Sequence, residues 1–108
     1  MDRKFEAIKK VVRGGSAHFI PIPKEVRREM DFGDEVLLFK DGKDLLVTNP
    51  GVSPWPGGLY GEYKVVRRQS RISLYIPSKV IDEGIFTEGA EVSFRVEGEI
   101  PLLRIFRV

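Results

Sequence analysis

Two stretches decide how this chain is read: Gly14–Glu29, GGSAHFIPIPKEVRRE, and Arg68–Glu83, RQSRISLYIPSKVIDE. Each leaves a bend of basic and small polar residues and enters an apolar run rich in β-formers that ends in Ile-Pro. Each then continues with a Lys, a Val and the start of a short helix. Shifting the sequence by 54 lays Lys10–Val26 over Lys64–Val80, so that Lys-Val-Val-Arg, the Ser, the Ile-Pro and the Val coincide. With two further residues in the second copy, Gly33-Asp34-Glu35-Val36 lies over Gly89-Ala90-Glu91-Val92. Internal repetition constrains architecture more strongly than any single element does.

Both copies have one grammar, β-β-α-β-β. A first strand (FEAIKKVV, YGEYKVV) precedes the bend, and a second (AHFIPI, RISLYI) follows it. The helix is opened by proline, favoured at the first helical position because its missing N–H has no partner there anyway. In PKEVRREM, Val26 and Met30 lie four apart on one face and leave Arg27 and Arg28 free, while Gly84 is placed to stop the second helix. Hairpins close the copies, with turns expected at Asp41-Gly42 and Glu97-Gly98, and Pro101 belongs at a strand start or an edge. The spacing divides the chain into a first repeat over 1–49, a Pro/Gly-rich linker over 50–61 and a second repeat over 62–108. A copy of about 45 residues buries too little apolar surface to stand alone, so the two are expected to share one core. Trp55, between two prolines, is a candidate pin for the linker. Met30, Phe19, Phe32, Phe39, Phe86 and Phe94 read as core.

Composition narrows the class. With no cysteine there is neither a disulfide framework nor a thiolate metal site. No apolar run approaches the roughly 18–20 residues of a membrane span, and MDRKFEAIKK lacks a signal-peptide core, so a soluble, cytoplasmic protein is expected. The net charge is only +2, yet it is segregated. Residues 9–28 and 63–79 hold eleven basic residues against the single acid Glu25, and the remainder holds seven against fifteen. This points to a polyanion-facing surface with an acidic opposite side.

The string Arg-x-Gly-x-Ser-x(5)-Ile-Pro followed by Gly-Asp-x-Val and a hairpin resembles the SpoVT–AbrB domain, closest to its MazE-like branch. The first copy carries it on Arg13, Gly15, Ser16, Ile22, Pro23, Arg27, Gly33, Asp34 and Val36, the second on Arg67, Ser70, Ile76, Pro77, Gly89 and Val92. The resemblance implies a mostly β fold with two short helices: a pseudo-dimeric swapped-hairpin barrel of two interleaved β-β-α-β-β units, whose basic bends and helix starts form a DNA-binding face. Fusion of both units in one chain is similar to MraZ-like proteins, but the Asp-x-x-x-Arg signature of that group is absent from both bends. The second copy departs from the pattern, with Arg68 and Gln69 over Gly14 and Gly15, and Ile81-Asp82 over Arg27-Arg28.

The expected function is double-stranded DNA binding by a transcriptional regulator. Lys10, Lys24, Arg27, Arg28, Lys64 and Lys79 would hold phosphate. Arg13, Arg67, Arg68 and Arg71, with Gln69 and Ser70, have the geometry to read base edges. The alternative is a MazE-like antitoxin that binds a toxin protein and its own promoter, although such antitoxins carry an acidic C-terminal tail and this chain ends in LLRIFRV. Pairing of barrels into a homodimer is left open. An enzyme is not expected: there is one histidine, His18, no carboxylate pair beside a nucleophile, and GGS lacks the Lys of a phosphate loop. No metal or cofactor is expected, and His18 reads as a strand residue near the DNA face or a packed ring.

Overall fold

The structure is a computed structural model that describes residues 2–51 and 58–108. Among them the chain forms β1 (Arg3–Lys10), β2 (Val12–Gly14), β3 (Ala17–Pro21), α1 (Lys24–Met30), β4 (Glu35–Asp41), β5 (Asp44–Thr48), β6 (Leu59–Arg68), β7 (Arg71–Ile76), α2 (Ser78–Asp82), β8 (Glu91–Glu97) and β9 (Leu102–Arg107). The fold is mostly β, an antiparallel sheet in the order β1-β8-β9-β5-β4-β6-β7-β3-β2 that curls into a half-barrel. β6 begins at Leu59, inside the stretch read as linker, and Trp55 lies outside the described residues.

Alternation sets which face is buried. In β7, Ile72, Leu74 and Ile76 point into the core while Ser73 and Tyr75 stay half exposed. Helix α1 adds Val26 and Met30, α2 adds Val80, and the segment after it adds Ile85 and Phe86, which together fill the concave side. Phe32, Phe39, Phe86 and Phe94 are buried as expected, but Phe19 is only half buried and sits on the outer face, because it alternates with the buried Ile20.

Strands from the two ends of the chain pair with one another. β1 is bonded to β8, β6 to β4, β3 to β7 and β5 to β9. Ile20 stands opposite Leu74, and Leu46 opposite Arg104. Arg104 gathers the hairpin acids, with Nη1 donating to Asp41 Oδ2 at 2.7 Å and Asp44 Oδ2 at 2.9 Å and Nε to Glu97 Oε2 at 2.8 Å. Burial works against the charged guanidinium, but these carboxylates overcome it and hold its pKa above the ordinary value.

Local stops differ in part from the sequence reading. Pro23 and Pro77 cap the helices from the extended region, one residue before the first helical position, so each adds a fixed φ without occupying the first turn. α1 ends on Asp31 in the left-handed region (φ 49), whose N–H bonds Arg27 O. α2 ends as expected at Gly84 (φ 73): the N–H groups of Gly84 and Ile85 return to Ile81 O and Val80 O, the paired bonds of a Schellman stop. The first hairpin turns at Gly42-Lys43 rather than Asp41-Gly42, since Asp41 pairs with Asp44, and the second spans 98–101 with Pro101 just before β9.

Candidate functional site

The two basic bends are the tips of neighbouring hairpins. β2–β3 turns at Gly15-Ser16 and β6–β7 at Gln69-Ser70, and the hairpins join through the β3–β7 ladder. The first residue of each turn has positive φ, +65 at Gly15 and +55 at Gln69. Glycine takes that conformation at no steric cost, whereas Gln69 holds it at a cost of about 1 kcal/mol.

A groove of about 650 Å³ runs between β1, the start of α1 and the second hairpin tip. Lys9, Lys24, Arg27 and Arg71 line it together with Ser70, against the single acid Glu25. Two smaller hollows adjoin it. One, of about 350 Å³, shares Arg71 and adds Arg13, Arg68 and the half-buried ring of Phe19. The other, of about 280 Å³, shares Lys24 and Arg27 and adds Arg28 and Arg67. The shared residues make the three hollows one strip of surface, basic along its whole length.

Within the strip the arginines are held differently. Arg27 is half buried, and its Nη1 donates to Ser70 O at 2.6 Å, fixing helix α1 to the second hairpin tip. Its Nε is buried and makes no hydrogen bond among the described residues. Arg13 curls back, with Nε donating to Gly15 O at 2.9 Å. Arg67, expected to read bases, is turned the other way. Its Nη2 donates to Phe32 O at 2.7 Å and Gly33 O at 2.9 Å, and Nε lies 4.0 Å from Asp34 Oδ1. These carbonyls follow α1, so Arg67 clamps the α1–β4 connection to β6. Its position opposite Ile72 puts it on the concave side, where alternation along β6 sends it. Arg68 and Arg71, by contrast, are exposed, face each other across the last pair of the hairpin, and make no ion pair or side-chain hydrogen bond among the described residues.

Four of the expected residues lie outside the hollows, Gln69 at the second hairpin tip and three lysines further away. Lys10 ends β1 opposite Glu91, and Lys64 stands opposite Glu35 on β6. Lys79 on α2 stands near Glu83, whose carboxyl is held below its ordinary range chiefly by the hydrogen bond from Lys40, with Lys79 adding a smaller attraction. His18 is opposite Arg13, with Nε2 3.5 Å from Glu88 Oε1. Lys9, Phe19 and Ser73 were not among the expected site residues. The signal for Phe19 and Ser73 was present: both occupy the outward phase of a strand whose inward phase is buried. Lys9 becomes part of the groove only because β1 packs beside the β3–α1 junction. Comparison of the chain with protein-family models, with curated proteins and with solved structures gives no match.

Proposed function

We propose that this chain binds double-stranded DNA as a small transcriptional regulator, on a SpoVT–AbrB-like barrel whose two halves exchange hairpins. The observation that carries the functional reading is the basic strip. Seven expected basic residues (Arg13, Lys24, Arg27, Arg28, Arg67, Arg68 and Arg71) and Lys9 line three adjoining hollows, in which Glu25 and Asp31 are the only acids among the described residues. Such a strip neutralises phosphates and releases their counterions. The swapped architecture is supported by register. Ile20 and Leu74 are counterparts under the 54-residue offset and stand opposite each other, as residues beside a twofold axis do. Lys9 opposite Val92 and Tyr63 opposite Val36 are the same pair seen from the two halves.

Arg68 and Arg71, with Gln69 between them, are the base-reading candidates, while Lys9, Lys24, Arg27 and Arg28 hold phosphate. Because the first tip carries Gly15 where the second carries Gln69, the preferred site is asymmetric, with most of its information in one half. Selection from random duplexes followed by mobility shifts across salt tests this reading. With about five or six phosphates engaged, log K against log salt should slope at roughly −5. A palindromic selected site would overturn the asymmetry, and no duplex binding at low salt would overturn the DNA reading.

A further inference from the structure

The two sides of the pseudo-symmetric sheet carry different chemistry at matching positions. Under the 54-residue offset, Lys9, Pro21, Arg71 and Ser73 of the basic groove correspond to Tyr63, Tyr75, Ala17 and Phe19. One side presents two cations, Lys9 and Arg71, and the other presents three rings, of which Tyr63 stands at the position of Lys9. Phe19 meets Tyr75 edge to face at 6.1 Å between centroids, and Tyr75 meets Tyr63 at 5.6 Å and 40°. All three rings are half exposed. Glycines lie beneath the ends of this ladder. A Cβ at Gly14 would come within 3.1 Å of the Phe19 ring, and one at Gly61 within 3.2 Å of the Tyr63 ring, so both rings cover bare backbone.

The ladder adjoins the basic strip through the hollow that holds Phe19, Arg68 and Arg71. Those two arginines are directly opposed across the strands, an arrangement that repels unless an anion lies between them. A flat π surface beside an uncompensated guanidinium pair matches a nucleotide whose base is free to stack. A paired base keeps its faces inside the duplex. A purely apolar protein partner would bury Arg68 and Arg71 without compensation.

We infer that Phe19, Tyr75 and Tyr63 form a stacking platform for unpaired bases of single-stranded DNA, with the adjoining phosphates held by Arg68 and Arg71. This deepens the DNA-binding reading, since Arg71 belongs to both surfaces. Duplex held along the groove and an unpaired flank on the rings would use the strip end to end.

The test is fluorescence anisotropy at one salt concentration with three probes: an oligothymidylate of about eight nucleotides, an abasic oligomer of the same length, and a blunt duplex. The wild type should bind the oligothymidylate about tenfold tighter than the abasic oligomer, because only the former can stack. Phe19→Leu and Tyr75→Leu keep apolar volume but remove a π face. Each should abolish most of that ratio, and Tyr75→Leu, which lies outside the hollows of the basic strip, should leave duplex affinity within about twofold. Equal wild-type affinity for the oligothymidylate and the abasic oligomer would overturn the inference without any variant. So would an equal loss on single strand and duplex in Tyr75→Leu, or a dimer in sedimentation that Phe19→Leu dissociates. Base-dependent single-strand binding without duplex binding would refute the regulator reading alone. Duplex binding without base dependence would refute the platform alone.

Discussion

Ile20 lies directly opposite Leu74 across the β3–β7 ladder, and neither side chain has any exposed surface. One residue comes from each half of the chain, so the contact belongs to neither half alone. Leu74→Ala should cost about 2–5 kcal/mol, as truncation at a closed core position does. The loss should appear in a single cooperative unfolding transition of the whole chain, read by denaturant titration with both far-UV and aromatic signals. Two separated transitions, with only one shifted, would show that the halves have separate cores.

Arg67 and Arg68 are neighbours on opposite faces of the sheet, Arg67 opposite Ile72 and Arg68 opposite Arg71. Arg67 donates to Phe32 O and Gly33 O, and its side chain is 45% exposed, so Arg67→Ala should lower stability by only about 1 kcal/mol. Arg68→Ala should leave stability within about 0.5 kcal/mol and weaken DNA binding instead. Melting curves and mobility shifts on the same two variants separate the roles. A stability loss at Arg68 equal to that at Arg67 would contradict the geometry.

The left-handed Gln69 invites the exchange its counterpart already carries. Gln69→Gly should stabilise the chain by roughly 0.5–1 kcal/mol, raising Tm by a few degrees, because glycine takes φ near +55 without strain. If the amide reads a base, the same variant should lose discrimination between selected and random duplexes while keeping its affinity for random DNA. Stabilisation without loss of discrimination would make Gln69 a turn residue only.

Acidic residues away from the strip give a pH signature. The hydrogen bond to Glu35, reinforced by its negative charge, pushes the Glu62 carboxyl above its ordinary range. A carboxyl raised in the folded state favours folding while it is protonated, and that contribution fades as pH rises through the raised value. Glu62→Gln should therefore raise Tm slightly at pH 7, and the gain should vanish by about pH 3.5, where the raised Glu62 carboxyl is protonated. An equal gain at both values would trace the effect to something other than the carboxyl pair.

Much of the fold was legible because its signals are local. RISLYI alternates cleanly and became β7 without a shift of boundary, and Gly84 ended α2 as its conformational freedom suggests. The chain could not announce in the same way that α1 would end on a left-handed Asp31, since aspartate takes that conformation only when its surroundings hold it there. The basic windows foretold the strip, yet charge alone does not tell an arginine that faces solvent from one that faces a carbonyl. Arg67 and Arg68 are adjacent and chemically identical, and only strand phase separates them. Phe19 shows the converse, because an aromatic in an apolar run reads as core until the phase of its strand is known.

The pairing of β1 with β8 has a consequence for how the protein is made. About 80 residues separate the two strands, so β1 leaves the ribosome long before its partner exists. At about 5–20 residues per second the wait is roughly 4–16 s. Throughout it, the first half holds a strand whose N–H and C=O groups have no ladder to join, and a β8 from a neighbouring nascent chain presents the same complementary edge. The crowding of ribosomes on one message should therefore decide how often two chains become entangled instead of each closing on itself.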